Sequence, residues 1–333
     1  MFMEVNRLRI KTAIVTVLLV FVMPQILFSV LKESNQIKLF TKTDDLIVKE
    51  TESIERLIMI KHDDCTELVG FDDYIAGVLL AEMPLDFELE ALKAQAVAIR
   101  TYTLRNLGRK HTDADICTDA SCCQAYINVE EFTGNIKNLE KLERAVIDTA
   151  DYILTYHGNL IEATYFSCSG GKTEDAVAVW GTSVPYLMSV ESPGEENCKH
   201  YEQSITLSKS EFLKKMGLRH DLNLDAATID TTYTNGGGVA TITIASEAFT
   251  GTQVRSLLNL SSTSFHFQVV DDTVIITTRG NGHRVGMSQY GAEAMAVSGN
   301  TFEEILMHYY PGTQLVPLSS TQLNAVFDKE AFL

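Results

Sequence analysis

Glu82 is the residue of this chain best placed for proton chemistry. The pattern over residues 71–106 is helical and breaks at Pro84, which predicts two helices meeting at Glu82, Met83 and Pro84. Phe71, Ile75, Val78, Leu79 and Glu82 recur at helical spacing, so a carboxyl group lies on an otherwise apolar stripe. Burial of that stripe and the unpaired carbonyls of a helix C-terminus both disfavour the anion. An unperturbed Glu, with a pKa of roughly 4.3, is ionised near neutral pH, whereas one raised in this way can act as a general acid. The plain alternative is a Glu that only terminates a helix.

A second concentration of reactive groups is the loop-like segment HTDADICTDASCC, with His111, Cys117, Cys122 and Cys123. Four N/S donors is the number that tetrahedral zinc takes. The spacing is not that of a standard finger, and the adjacent pair Cys122 and Cys123 is unusual. The alternative is a disulfide from Cys117 to Cys122 or Cys123, with His111 incidental. With Glu82 supplying the acid, the metal is expected to be structural, pinning a loop, and no cofactor is required for chemistry. Cys65, Cys168 and Cys198 are left over, and a Cys65 to Cys198 bridge is conceivable. A nucleophilic Cys168 with His283 as its base is a rival chemistry, because a glycine-rich turn beside a thiolate can form an oxyanion hole.

These residues need a scaffold, and 333 residues with 45% apolar composition are enough for one large core or two modest ones. Arg7, Arg9 and Lys11 precede an apolar run at 12–31, close to the ~20 residues that cross a bilayer. The expected order is a cytoplasmic N-terminus (1–11), a transmembrane anchor (12–31), a polar stalk (32–55), a helical lobe (56–201), a strand-rich lobe (202–279), a return segment (280–316) and a tail (317–333). The expected class is α+β in two lobes, with the ectodomain outside the cytoplasm. RLIMIK at 56–61 reads as a strand. In the second helix Leu85, Leu89, Leu92, Ala96, Ile99 and Thr103 share one face, leaving Gln95 and Arg100 to point elsewhere. A formal charge of -17 leaves no basic stripe to replace phosphate counterions, which argues against a nucleic-acid partner.

Three separated segments, LAEMP at 80–84 with LKAQAVAIRTY at 92–102, YFSCSGG at 165–171, and GHRVGMSQYGA at 282–292, together resemble the stage II sporulation protein D family. The resemblance implies a membrane-bound lytic transglycosylase of forespore engulfment that cuts peptidoglycan between N-acetylmuramic acid and N-acetylglucosamine. Glu82 matches the family's catalytic glutamate. It would protonate the glycosidic oxygen and then take a proton from the C6 hydroxyl, giving a 1,6-anhydro end. Implied partners are a companion amidase and a polytopic membrane protein, and some relatives look similar in placing zinc at the cysteine loop. Arg100 is expected to neutralise charge and Gln95 to orient a hydroxyl. Tyr165, Ser167, Ser169, His283, Ser288, Gln289 and Tyr290 are expected to contact sugar. Because related proteins are amidase enhancers, the alternative is a non-catalytic wall-binding partner of an amidase.

Overall fold

The structure, a computed structural model, describes residues 56–62, 65–225 and 228–320. The expected anchor, the stalk and the tail beyond 320 lie outside the described residues. No helix among those described is long and apolar enough to cross a membrane.

The chain starts with a hairpin, β1 (Leu57–His62) and β2 (Cys65–Gly70), and passes directly into α1 (Phe71–Glu82). Asp72 and Asp73 lie in the first turn of α1, where carboxylates suit the positive end of the helix. Pro84 stops α1 as the sequence predicts: Met83 is extended, because a residue preceding proline is pushed out of the helical region. The helix α2 (Leu89–Asn106) follows, then the short β3 (Ile116–Cys117), parallel to β1, and α3 (Ile136–Ile147). Next come β4 (Tyr152–Tyr156), β5 (Asn159–Leu160) and β6 (Tyr165–Phe166), with the turn between β4 and β5 made by His157 and Gly158 at positive φ.

The helix α2 is the axis of this region, with α1 and α3 against it and α7 and α8, introduced below, closing it in. Its alanines at 91, 94, 96 and 98 are all fully buried, and their small side chains let neighbouring helices approach closely. Gln95 and Arg100, expected to point away from the core, are also 0% exposed. A helix enclosed on every side has no face left for solvent, so a one-stripe reading fails for it.

Downstream lie α4 (Ala176–Trp180), β7 (Glu202–Ser208), α5 (Lys209–Met216), β8 (Ile229–Tyr233), β9 (Val239–Ile244), β10 (Glu247–Thr250), α6 (Gly251–Leu258), β11 (Ser264–Val270) and β12 (Thr273–Arg279). They form two three-stranded sheets, β10-β9-β8 and β11-β12-β7. Val274, Ile276 and Thr278 of β12 are buried in alternation, the period of a strand with one covered face. With Phe212, Val254, Leu258, Ile242 and Phe265, Val274 and Ile276 make a core of their own. The fold is thus α+β. The strand-rich region nevertheless belongs to the same compact unit as the helices before it, so the contacts draw no separate second lobe.

The chain returns through β13 (Met287–Ser288), α7 (Gln289–Val297), α8 (Phe302–Tyr309) and β14 (Gln314–Pro317). The strand β13 pairs in parallel with β6, opposing Tyr165 to Met287 and Phe166 to Ser288. This pairing joins two motifs more than a hundred residues apart.

Candidate active site

Glu82, the last residue of α1, is half-buried and faces the segment that follows the cysteine loop. Its Oε1 accepts the backbone N–H of Ala125 at 3.3 Å. Burial raises its pKa, and the Ala125 N–H and the Gln289 side chain pull it back only in part. Among the described residues no carboxylate contributes to the shift. Gln289 heads α7, is 5% exposed, and its Nε2 has no partner within hydrogen-bond range. The site therefore presents a carboxyl group biased toward its neutral form, with an N–H and an amide placed to receive the anion when it forms.

Ala125 is brought there by close backbone packing. A Cβ on Gly77 would lie 2.3 Å from the Tyr126 ring and 2.7 Å from the Ile127 carbonyl. The Ile127 N–H bonds back to the Gly77 carbonyl at 3.2 Å, and the Tyr126 ring stacks on Tyr74. Gly77 is thus the gap through which the segment lies flat on α1.

Beside Glu82, the half-buried Tyr165 donates its hydroxyl to Gln124 Oε1 at 2.9 Å, and Gln124 Nε2 donates to Thr103 Oγ1 at 2.9 Å. Burial and the Glu82 charge both hold the Tyr165 phenol neutral. His283 lies between Phe166 and Trp180, with ring centroids 5.5 Å from each. Burial and the Arg255 charge lower its pKa to about 4, and its Nδ1 accepts the Val285 N–H, so it is a neutral imidazole.

Several predicted sugar contacts prove to be framework. Ser169 is fully buried, and its hydroxyl and N–H both go to the buried Glu195, which also takes the N–H of Gly170 at 2.9 Å. Ser288 is 0% exposed and caps α7 by accepting the Gly291 N–H. Arg100 donates to the carbonyls of Thr149, at 2.7 Å, and Val146, at 3.3 Å, just where α3 ends, and lies 3.6 Å from Asp72. Its guanidinium is committed to a helix end and has no exposed surface to offer a sugar. Gln95 is enclosed likewise, with both amide atoms unpartnered. Ser167 and Tyr290 stay half-exposed, joined by the Tyr290 N–H to the Ser167 carbonyl at 3.0 Å.

Cys168 does not match the nucleophile reading. It is fully buried, and burial and the Glu195 charge drive its thiol pKa upward, opposite to what a thiolate needs. All six cysteines are free. Cys65 is exposed, whereas Cys198 is buried and interacts with Cys168.

His111, Cys117, Cys122 and Cys123 do converge, their donor atoms lying within 4.8 Å of one another. His111 Nε2 is 3.6 Å from Cys122 Sγ and 3.5 Å from Cys123 Sγ, and the two sulfurs are 3.8 Å apart. A tetrahedral zinc with bonds of about 2.3 Å to sulfur and about 2.0 Å to nitrogen has edges of about 3.8 Å and about 3.5 Å, so the donors fit that ion. The pairing of β3 with β1 fixes Cys117, and the Asp119 carbonyl, accepting the N–H groups of Cys122 and Cys123, fixes the other two.

A family model described as Stage II sporulation protein matches residues 61–156. The chain is 39% identical to stage II sporulation protein D of Bacillus subtilis (strain 168) and 38% identical to that of Bacillus amyloliquefaciens, over 75% of this chain and 75% of each relative. It is also 30% identical to the amidase enhancer of Bacillus subtilis (strain 168), over 72% of this chain and 40% of that protein. With Glu82, the 165–171 turn and the 282–292 segment gathered in one fold, the chain belongs to the stage II sporulation protein D family.

Proposed function

We propose that this chain is a lytic transglycosylase of sporulation, anchored in the cell membrane and acting on peptidoglycan outside the cytoplasm during engulfment. The observation that carries the reading is Glu82: a half-buried carboxyl group biased toward its neutral form by burial, on which no other carboxylate acts among the described residues. Hydrolysis of a glycosidic bond generally uses two carboxylates, whereas intramolecular cleavage by a neighbouring hydroxyl needs one.

In the first step protonated Glu82 donates to the oxygen leaving N-acetylmuramic acid C1, and the bond to that oxygen breaks. The new carboxylate is held by the Ala125 N–H and faced by Gln289. In the second step it removes the proton of the muramyl C6 hydroxyl as O6 bonds to C1, closing the 1,6-anhydro ring. Glu82 ends protonated and no water is consumed.

His111, Cys117, Cys122 and Cys123 are the residues that would hold zinc, whose contribution is to pin the loop carrying Gln124 and Ala125. The 30% identity to an amidase enhancer supports a second reading, a wall-binding partner that stimulates a companion amidase without cutting glycan.

The test is digestion of peptidoglycan, with and without prior amidase treatment, by the full chain and by Glu82→Ala. Mass spectrometry should find 1,6-anhydromuramyl ends only where Glu82 is present. Reducing ends would mean hydrolysis, and intact stimulation of amidase by Glu82→Ala without any cleavage would establish the second reading.

A further inference from the structure

Trp180 is the chain's one tryptophan, and it ends α4 with 44% of its surface exposed. Its indole lies against His283, which also meets Phe166 of β6, the neighbour of Tyr165 beside Glu82. Arg255 of α6 is near enough for its charge to act on His283. Arg255 of α6 donates Nε to the Leu260 carbonyl at 3.3 Å, and the next carbonyl, Ser261, accepts the Gly282 N–H at 3.0 Å, one residue before His283.

Two features of this corner have no internal explanation. Arg255 is partly buried and its pKa is lowered by that burial alone. Among the described residues it has no carboxylate partner, in a chain with 44 acidic residues. The Ser261 hydroxyl, buried in the same corner, also has no partner. Partly desolvating a cation with no counter-charge and burying a hydroxyl with no partner both cost stability, and a bound anion would recover part of that cost.

We propose that Trp180, His283, Arg255 and Ser261 form a subsite for a muramyl residue, next to the Glu82 site, in which Arg255 takes a carboxylate of that sugar and Trp180 stacks on its ring. A guanidinium matches a carboxylate with two parallel hydrogen bonds, and an exposed, rigid indole offers a flat apolar face at low entropic cost. The carboxylate is the lactyl group on an amidase-stripped strand, or a stem-peptide carboxylate where peptides remain. The subsite rests on the glycan reading above but does not depend on the chemical step.

The single tryptophan reports on its own occupancy. Titration of the full chain carrying Glu82→Gln, which binds without cutting, should quench Trp180 fluorescence with amidase-stripped glycan oligomers at least tenfold more tightly than with chito-oligosaccharides of equal length, which lack the carboxylate. Arg255→Gln should abolish that preference, and Arg255→Lys should restore part of it. A parallel titration with peptide-bearing oligomers assigns the carboxylate: weaker binding than the stripped strand assigns it to the lactyl group, and equal binding means that a stem-peptide carboxylate takes the same place where peptides remain. Equal affinity for both glycan classes in the Glu82→Gln protein, or a preference that survives Arg255→Gln, overturns the subsite. Failure of the parent enzyme to make 1,6-anhydro ends, with this preference intact, would instead overturn the transglycosylase reading alone.

Discussion

The backbone N–H that meets the Glu82 carboxylate at 3.3 Å belongs to Ala125, two residues beyond Cys123 of the His/Cys cluster. The cluster and the acid are therefore mechanically joined through Gln124. Full-length protein should carry about one zinc per chain by elemental analysis, and Cys123→Ser should lose it. Because the loop then gives up a fixed point, glycan cleavage should fall by roughly 10-fold or more, and thermal denaturation should occur at lower temperature. Metal-free protein with unchanged denaturation and cleavage would show that the cluster does not support Ala125.

Glu82→Gln should reduce formation of anhydro ends by about 10²-fold to 10⁴-fold, the usual worth of a general acid and base. Its effect on stability should run the other way. The folded-state pKa of Glu82 is raised by burial, so the folded chain binds its proton more tightly than the unfolded chain does. Stability from that protonation is complete below the unfolded pKa of roughly 4.3 and is lost as pH rises through the folded pKa. Glu82→Gln should thus match the parent in acid and exceed it near neutral pH. Denaturant midpoints measured at both pH values check the sign, and a larger gain in acid than at neutrality would contradict it.

Arg100→Met should cost about 3 kcal/mol of stability, because the carbonyls of Val146 and Thr149 lose their buried donor and Asp72 its cation. The products of whatever glycan cleavage remains should be unchanged, since Arg100 holds the end of α3 rather than the sugar. Equilibrium unfolding measures the first, and mass spectrometry of products at a temperature where the variant is folded measures the second. A stable variant with altered product ends would return Arg100 to the substrate.

Local rules carried much of this fold. The break at Pro84 and the strand at β1 followed from the residues themselves, and the placing of Glu82 on an apolar stripe did too. What was not legible depended on distant partners. Arg100 finds its carbonyls 46 and 49 residues away, and a helix wheel cannot show that α2 is covered on all sides. Trp180 meets His283 from a distant part of the chain, so no spacing along the chain could mark it. Ser169 and Ser288 looked like ligands of a sugar because glycine-rich turns expose hydroxyls, but the buried Glu195 and the start of α7 use them first.

Gly77→Ala tests the link between packing and chemistry most directly. The added methyl would meet the Tyr126 ring and the Ile127 carbonyl at distances that real contacts do not show, so the segment after the cysteine loop must lift off α1. Overpacking of this kind costs about 1–3 kcal/mol. Lifting the segment also withdraws the Ala125 N–H from Glu82, which removes one of the two groups that favour the anion. The apparent pKa of the acid in the pH dependence of glycan cleavage should then rise further, together with a lower rate. A variant destabilised but unchanged in its pH profile would mean that Ala125 does not tune Glu82.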